Sequence, residues 1–582
     1  MTAAQRTAFL PLLASAALVA STLVAGHARA GEDDPPEVDA WSDEASWDIP
    51  GEYVVDFDDD VSESTVQSVL ASHGLSYRET ALEDDTRIQI VQAKQGLWAR
   101  LVAKLRSDDR IEYVEPHAKV EAMFVPNDPM FAEQWHMSRV GAESAWDFAV
   151  GRGVTVAVVD TGIACKSFED FSRATDLATT RCVDGYNFVS KTKHANDDNG
   201  HGTHVAGTIA QSTHNGLGVA GLAYRARLMP VKVLSSEGWG TTTAVADGIR
   251  WAADHGAHVI NLSLGGPRNS RVLQSAVTHA LKKGAVVVAA AGNSGSWVGY
   301  PGACDGVIGV SATTQADKLA YFSSRGPGVD LAAPGVDVLQ QTVCNKGRNG
   351  CEIFPTYNGT SMASPHVAGA AALLVSLGVT DADAVEAELR TSARVLDDSD
   401  AGRLRFGSGL VQAAAAAERV TLWQGLSRLG ALLVLSLLAF GWARRRGGSI
   451  RPTHAGFWVA ALATSAGIAF FAPWLISRHH VAVDLLSRPL ADWDLLLSAS
   501  LHSYLPFANV IVPIALTVIF YGMKGSRPWL AGVSVGTGAY LIGVLLLGHH
   551  AGPFGWLLTP LWVGVNALLC VGLGALLLRR EK

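Results

Sequence analysis

The sequence predicts an α/β protein whose main domain is a three-layer sandwich with a mostly parallel sheet between two layers of helices. Three observations support this fold class. Through the middle of the chain, runs of β-branched and small apolar residues, typical of buried parallel strands, alternate with helical segments. A shorter stretch before them mixes strands and helices, which indicates a small α+β module. After about residue 419 the composition turns apolar over lengths that predict an all-α transmembrane bundle.

Length and composition agree with several domains. The chain has 582 residues, 48% of them hydrophobic, and a mean hydropathy of +0.20, which is too apolar for a wholly soluble protein. The formal net charge is −8, and the soluble part shows no basic patch. We therefore expect no nucleic-acid partner.

The amino terminus has the pattern of a secretory signal. Arg6 precedes an apolar run over residues 8–25, and Ala28-Arg29-Ala30 offers a small-residue cleavage site. Residues 1–30 are therefore predicted to be a signal peptide, with an uncleaved anchor as the alternative. Residues 31–47 are acidic and contain proline, which indicates a disordered linker.

The next segment, residues 48–125, is predicted to be the small α+β module. Strands are expected at 52–57, 87–91 and 111–116, and helices at 62–73 and 97–105.

Three polar residues stand at the ends of predicted strands and helices in the main domain. Asp160 ends the β-branched run 154–159, at the carboxyl end of a strand, where open α/β sheets keep their sites. His201 opens a helix of small residues, and Ser361 stands where a second such helix begins. The chain order Asp, His, Ser is one of those known for nucleophilic serine catalysis, in which an imidazole takes the serine proton and a carboxylate orients the imidazole.

Residues 126–419 resemble the subtilisin family (subtilases) of serine proteases. Four blocks carry the resemblance: Asp160-Thr161-Gly162, His201-Gly202-Thr203-His204, Ala289-Ala290-Ala291-Gly292-Asn293 and Gly359-Thr360-Ser361-Met362-Ala363. The resemblance implies a subtilisin-like fold, a catalytic triad of Asp160, His201 and Ser361, an oxyanion hole containing Asn293, and polypeptide substrates. His204, His366 and Ser364 are expected to be structural.

Two further segments match the family's substrate-binding parts. Ser263-Leu264-Gly265-Gly266 matches the segment that pairs with an extended substrate, and Gly299 matches the base of the first specificity pocket. A glycine there implies a deep uncharged slot and cleavage after large apolar or aromatic residues. An acidic pocket for paired basic residues is the alternative.

The resemblance also implies a structural calcium ion, although the chemistry itself requires no cofactor. The calcium loop of the family matches residues 213–219, and its implied ligands are Gln134, Asn215, Leu217, Val219 and an acidic side chain, Asp170 or Glu169. A glycine-rich surface loop without metal is the alternative.

By the same resemblance, residues 48–125 match the inhibitory, chaperone-like propeptide, a partner that the protease removes from itself. Its tail, residues 119–125, is expected to lie in the active cleft, with maturation near Val125 or Pro126. A permanent accessory domain is the alternative.

Six cysteines are present, five of them in the protease domain. A secreted domain is expected to pair its thiols. Cys165 is predicted to pair with Cys182, and Cys304 with either Cys344 or Cys351, which leaves one odd thiol. The cysteine spacing does not match a zinc site.

The region 420–582 is predicted to cross a lipid bilayer five times. The apolar stretches lie at 422–443, 455–476, 506–523, 529–547 and 554–578. Arginine and lysine cluster after the first, third and fifth, which predicts a cytoplasmic carboxyl terminus and a protease domain on the periplasmic or extracellular side of a bacterial-type inner membrane. His479-His480 and His549-His550 are interpreted as interfacial, with a metal or proton-coupled site at the outer face as the alternative. Asp484, Asp492 and Asp494 are interpreted as solvated loop charges.

Together these features predict a membrane-anchored serine endopeptidase made as a zymogen. Two alternatives stay open: a dedicated processing protease for one membrane or secreted client, and an inactive subtilase fold that binds peptides as a sensor.

Overall fold

The computed structural model describes residues 48–80, 86–92, 102, 104–118, 124–348, 352–447, 451, 453–475, 481–496, 499, 509–523, 525–548 and 555–579. The predicted signal peptide and acidic linker, the tail at 119–123, Cys351 and both His-His pairs lie outside these residues. The chain divides into two compact units, Met1–Ala122 and Met123–Lys582.

The first unit is a four-stranded antiparallel sheet with a helix. Its elements are β1 (Asp48–Phe57), α1 (Glu63–Ser72), β2 (Ser76–Glu79), β3 (Ile88–Gln92) and β4 (Ile111–Ala118), and the strand order is β2-β3-β1-β4. Val55, Phe57 and Leu70 are fully buried in its core. Strand β2 was not predicted, because its sequence Ser-Tyr-Arg-Glu has only one apolar residue.

The second unit contains an eight-stranded parallel sheet. Its strands are β5 (Thr155–Asp160), β6 (Arg181–Cys182), β7 (Tyr186–Asn187), β8 (Arg227–Lys232), β9 (Val259–Leu262), β10 (Val286–Ala290), β11 (Val307–Thr313) and β12 (Leu331–Pro334), in the order β12-β11-β10-β9-β5-β8-β6 with β7 also paired to β8. A short antiparallel pair, β13 (Val338–Leu339) and β14 (Thr356–Tyr357), stands apart from it.

Helices cover both faces of this sheet. They are α2 (Trp135–Arg139), α3 (Ala142–Phe148), α4 (His201–Ala210), α5 (Thr242–Asp254), α6 (Arg271–Lys282), α7 (Thr360–Ser376), α8 (Ala382–Thr391) and α9 (Asp400–Phe406). Since side chains alternate along a strand, Val156 and Val158 of β5 join the core beneath α4 and α7, while Ala157 and Val159 join the core beneath α5 and α6. This arrangement confirms the predicted three-layer sandwich.

The C-terminal region is helical where it is described. Its helices are α10 (Ala413–Arg445), α11 (Ala455–Ser465), α12 (Val481–Ser487), α13 (Ile511–Phe520), α14 (Ser526–Leu547) and α15 (Gly555–Leu577). Among the described residues, three helices are long and apolar enough to cross a membrane: Ala413–Arg445, Ser526–Leu547 and Leu558–Leu577.

The second and third predicted spans contain shorter helices of 11 and 10 residues. Helix α11 ends at Ser465 because Gly467 adopts a left-handed φ of +104° and its N–H turns back to the Leu462 carbonyl at 2.9 Å. The count of five spans therefore stays a prediction, supported by three helices of spanning length.

The three aspartates interpreted as solvated are instead buried, so that interpretation was wrong. Asp484, Asp492 and Asp494 are 1–3% exposed. Arg488 Nε lies 2.6 Å from Asp484, and Arg428 Nη1 lies 2.9 Å from Asp492. Buried carboxylates need such partners. Arg488 follows Asp484 by only four residues, whereas Arg428 belongs to α10, which the loop sequence alone does not identify as a neighbour.

The disulfides agree with the prediction in part. Cys165 and Cys182 are bonded. Cys304, however, is a free buried thiol, whereas Cys344 is disulfide-bonded. The predicted pairing of Cys304 is therefore wrong, since this residue follows β10 in the core beneath α5 and α6.

Candidate active site

Asp160, His201 and Ser361 come from three separate elements that meet at the carboxyl edge of the parallel sheet. Asp160 is the last residue of β5, His201 is the first residue of α4, and Ser361 is the second residue of α7. His201 and Ser361 line one cavity of about 610 Å³. The fold thus brings together the three side chains that the sequence separates by two hundred residues.

The imidazole of His201 is held by a buried carboxylate. Its Nδ1 lies 2.8 Å from Oδ1 of Asp160, which also accepts the Thr161 N–H at 2.7 Å. Asp160 is fully buried, whereas the His201 side chain is 28% exposed and reaches the cavity. The Nδ1 contact assigns the proton on that nitrogen, which leaves Nε2 free to act as a base.

Burial and charge have opposite effects on the pKa of His201. Burial lowers the pKa, but the negative charge and hydrogen bond of Asp160, together with the charge of Asp197, outweigh burial and raise the pKa above its ordinary value. The imidazolium that forms during proton transfer is therefore stabilised where it stands.

Asp197 is a buried residue beside this site that sequence reasoning missed. Its buried carboxylate accepts N–H groups of Asn199, Gly200 and Thr203 at 2.9–3.0 Å, and so fixes the loop that leads into α4. It also accepts the Thr161 hydroxyl at 2.9 Å. The signal was present as an aspartate before Asn199-Gly200, since an aspartate side chain commonly accepts the backbone N–H two residues on in a turn.

Ser361 is aimed into the cleft by the start of α7. Gly359 caps this helix with a φ of +154°, and a Cβ there would stand 3.3 Å from the Asn293 amide nitrogen. The Ser361 hydroxyl donates to the Ser263 carbonyl at 3.1 Å. Because that bond is made with the backbone of the substrate-binding segment, a rotation about Cα–Cβ is needed to present the hydroxyl to His201.

The Asn293 amide is oriented by its oxygen, which leaves its NH₂ group as the donor toward the cleft. Asn293 Oδ1 accepts both the N–H and the hydroxyl of Thr360, each at 2.9 Å. The Thr360 hydroxyl in turn accepts the Gly292 N–H at 3.1 Å. Thr360 is thus a positioning residue that the sequence did not single out, although it is adjacent to Ser361.

The predicted substrate-binding residues lie around Ser361. Ser263 donates its hydroxyl to the Ser361 carbonyl at 2.8 Å, which joins this segment to α7. Leu264, Gly265 and Gly299 line a second cavity, of about 450 Å³, together with Asn293, Trp297 and Ser361. None of the described residues that line this cavity is charged.

The other polar residues of these helices are structural. His204 stacks on Tyr357 with ring centroids 4.2 Å apart, and burial lowers its pKa to about 3. His366 Nε2 lies 2.8 Å from Nδ1 of His136, and burial lowers the pKa of His366 to about 4. Ser364 contacts the Ser263 hydroxyl at 2.8 Å.

The residues expected to hold calcium are brought together in part. Asn215 Nδ2 and the Val219 N–H both meet the buried carboxylate of Asp176, at 2.7 and 3.0 Å. Asp170, the predicted acidic ligand, lies in an exposed turn. The side chain of Gln134 bonds Ala220 and Leu339, and the Leu217 N–H donates to Asn215 Oδ1 at 3.0 Å.

Asp176, in the short helical turn Thr175–Leu177, contacts the Asn215 loop where Asp170 was expected. A second acidic side chain, Asp128, accepts the N–H groups of His214 and Asn215 at 2.7 and 3.1 Å. Burial raises the pKa of Asp176 to about 7. Among the described residues, no group of three or more His, Cys, Asp or Glu side chains could hold a metal ion, so a ligand set here would need carbonyl and amide oxygens in addition to these two carboxylates.

Comparison with known proteins agrees with this geometry. Residues 151–409 match the model of the subtilase family, peptidase S8. The chain is 38% identical over 352 residues to a thermophilic serine proteinase of Bacillus sp. (strain AK1), and the alignment covers 60% of this chain and 83% of that protein. It is 44% identical over 257 residues to thermitase of Thermoactinomyces vulgaris, covering 44% and 87%. Subtilisin DY of Bacillus licheniformis is 44% identical over 274 residues, covering 46% and 92%.

Proposed function

The chain belongs to the subtilase family and is a serine endopeptidase, and we propose that Ser361 is its nucleophile, His201 its general base and Asp160 the residue that orients His201. One observation carries the proposal. The ring of His201 is tethered to Asp160 at 2.8 Å and faces the cavity that Ser361 also lines.

The chemistry follows from these positions. His201 Nε2 takes the proton of Ser361 Oγ as the oxygen attacks the carbonyl carbon of the scissile peptide bond. The resulting oxyanion is met by the Asn293 NH₂ group and the Ser361 N–H, since the first N–H groups of a helix have no partner inside it. The intermediate collapses, and the C–N bond breaks as the leaving amine takes the proton from Nε2. Water then hydrolyses the acyl-enzyme by the same steps.

A fluorophosphonate probe tests this assignment, because it labels only a serine that a base activates. The wild-type chain is expected to be labelled once, and Ser361→Ala and His201→Ala are expected not to be labelled. Ser294→Ala, which alters another serine of the second cavity, is the matched control and should be labelled normally. Labelling of Ser361→Ala at another serine would refute the assignment.

We also propose that the cleft accepts large apolar or aromatic side chains before the cleaved bond. The support is the uncharged second cavity, with Gly299 at its wall and Trp297 beside it. A Cβ at position 299 would stand 3.1 Å from the Gly266 carbonyl, so a larger residue would narrow the slot. Cleavage of a peptide library should show this preference, and a preference for basic residues would contradict it.

We propose further that the C-terminal region anchors the protease in a bacterial-type inner membrane, with the protease domain on the periplasmic or extracellular side. Arg446 and Arg579 both stack on the ring of Trp442, at 5.5 and 4.2 Å, and Arg527 reaches the Arg579 carbonyl. These arginines end α10, begin α14 and end α15, so the basic ends of three helices meet at one level. The positive-inside rule assigns that level to the cytoplasm.

A reporter fused after Lys582 tests this orientation. A reporter that works only in the cytoplasm should be active at this position, and a reporter that works only in the periplasm should be inactive. The reverse result would overturn the topology.

The amino-terminal unit is proposed to be the propeptide of a zymogen. Its support is a compact unit with a hydrophobic core of its own, ending at residue 122, just before the predicted maturation site. Ser361→Ala should therefore keep this unit attached. Its release from the inactive variant would mean that another protease performs the maturation.

A structural calcium ion is proposed at the Asn215 loop, with Asp176 and Asp128 as the acidic groups in place of Asp170. Both carboxylates are buried, at 0% and 4% exposure, and the charge of Asp128 adds to the rise in the pKa of Asp176. A hard divalent cation would neutralise them and would be held through carboxylate, amide and carbonyl oxygens. The metal would stabilise the loop and would take no part in peptide hydrolysis.

A further inference from the structure

Helix α7 connects the active site to the C-terminal region. It carries Ser361 in its first turn, and its last carbonyls meet two side chains from that region. Arg488 Nη1 donates to the Ser376 carbonyl at 2.7 Å, and Gln424 Nε2 donates to the Leu377 carbonyl at 3.0 Å. A cation at this position also suits the negative end of the helix dipole. Ser361 and the contact with the C-terminal region therefore lie at opposite ends of one helix, and the 16 residues from 361 to 377 correspond to about 24 Å at 1.5 Å per residue.

Helix α10, the first candidate span, runs in the same direction as α7. Its first residue, Ala413, donates its N–H to the Val140 carbonyl at 2.8 Å, just after helix α2. His136 in α2 contacts His366 near the start of α7, whereas Gln424 of α10 is level with the end of α7. The continuation of α10 from Arg428 to Arg445 therefore leads away from Ser361.

Buried polar contacts make this junction rigid. Asp484, at 1% exposure, contacts both Arg488 at 2.6 Å and Arg152 of the protease domain at 3.3 Å. The Ala499 N–H donates to the Gly153 carbonyl at 3.1 Å. Deeper along α10, Arg428 contacts Asp492, whose other oxygen accepts the Tyr540 hydroxyl. Breaking a buried ion pair leaves an uncompensated charge, which is costly. The protease domain is therefore held in one orientation relative to the C-terminal helices.

The first predicted span begins at residue 422, two residues before Gln424, which contacts the end of α7. We therefore propose that the outer surface of the membrane lies at the level of this end and that the active cleft is held about 24 Å above it. Its substrates are then soluble extracytoplasmic polypeptides and membrane-tethered chains whose cleavage site lies far from the bilayer. Peptide bonds next to a membrane span are excluded. The proposal rests on the proposed membrane anchoring and deepens it by naming the substrate class.

Chain dimensions convert this height into a spacer length. A fully extended chain spans at most about 3.3–3.6 Å per residue, so at least ~7 residues are needed to cover 24 Å. A flexible Gly/Ser chain has an end-to-end distance of about 5–6 Å times the square root of its length, so it covers this height on average with ~20 residues.

The test uses the full chain reconstituted in vesicles with single-span substrates. These substrates carry one cleavable sequence after Gly/Ser spacers of about 4, 10, 20 and 40 residues, lengths that bracket both limits. Cleavage should be absent for the shortest spacer and should rise to a plateau near the third. Equal cleavage at all spacer lengths would overturn the proposal.

Two controls separate this proposal from the proposed function. The same cleavable sequences as soluble peptides should be hydrolysed equally, and the protease should stay with the vesicles after alkaline extraction. Failure of the first control would refute the proposed protease activity, and failure of the second would refute the membrane anchoring. The spacer dependence alone tests the height of the active cleft above the membrane.

Arg488→Ala tests the junction directly. Losing the contacts to Ser376 and Asp484 should loosen the protease domain, so that shorter spacers are cleaved while soluble-peptide hydrolysis is unchanged. Arg403→Ala, at an exposed arginine of α9, is the control and should keep the wild-type spacer threshold. An unchanged threshold in folded Arg488→Ala protein would overturn the assignment of this junction as the element that sets the reach.

Discussion

Thr360→Val should reduce turnover by releasing the Asn293 amide. Valine matches threonine in shape, so the buried packing around position 360 is kept while its hydroxyl is lost. Two hydrogen bonds disappear: the one from the hydroxyl to Asn293 Oδ1 at 2.9 Å and the one from the Gly292 N–H at 3.1 Å. The Thr360 N–H still donates to Asn293, so the amide is loosened and not freed.

The magnitude follows from these contacts. Each lost hydrogen bond reduces the free energy of unfolding by about 0.5–1.5 kcal/mol, and we expect a total near 2 kcal/mol. Complete loss of an oxyanion-hole donor costs about 10²–10³ in kcat, a figure measured on subtilisin, a member of this family. Since one of two contacts with Asn293 Oδ1 remains, we expect kcat to fall about tenfold with little change in KM, because the interaction is made only in the transition state.

The assay is steady-state hydrolysis of a soluble chromogenic peptide, with the concentration of active sites determined by titration. Thr360→Ser, which keeps the hydroxyl, should retain wild-type kcat. In an Asn293→Ala background, Thr360→Val should have no further effect on kcat, because the amide that it positions is gone. If kcat were unchanged in the single variant while stability fell, Thr360 would have only a structural role and the reasoning would be refuted.

Three other predictions concern pH, the disulfide and calcium. The pKa of His201 is raised, so kcat/KM should fall in acid as this ring is protonated. The ion pair with Asp160 should stabilise the fold below the ordinary histidine pKa, and this stabilisation should be lost as pH rises through the pKa of the folded protein. Asp160→Asn should move the acid limb of the kcat/KM profile to lower pH and reduce kcat by about 10⁴. Replacing Cys165 and Cys182 by serine opens a loop with a sequence separation of 17, which should lower the free energy of unfolding by about 3 kcal/mol in chemical denaturation. Because burial raises the pKa of Asp176 to about 7, the free energy of unfolding measured in the presence of a chelator should fall by up to about 4 kcal/mol as pH rises from 4 to 7. Added calcium should remove this pH dependence, and Asp176→Asn should abolish both the pH dependence and the response to calcium. Identical melting curves with and without calcium would exclude the metal.

The sequence by itself determined the features that depend on local pattern. The β-branched run before Asp160 and the small-residue helices beginning at His201 and Ser361 each place a polar group at the end of a regular element, and parallel strands bring such ends to one edge. Strand and helix periodicity also predicted the three layers, because each face of the sheet needs an apolar cover.

Tertiary structure alone decided which distant groups are partners. Three features depend on how loops pack, which residue spacing does not encode: the contact of Asp176 with the Asn215 loop, the free thiol of Cys304 and the hydrogen bonds between Thr360 and Asn293. The same holds for the contact between Asp484 and Arg152, since Arg152 approaches from the protease domain and adds to the local partner of Asp484, Arg488. A local pattern specifies where a side chain stands on its own element, whereas the energy of a buried polar group depends on partners that only the complete fold supplies.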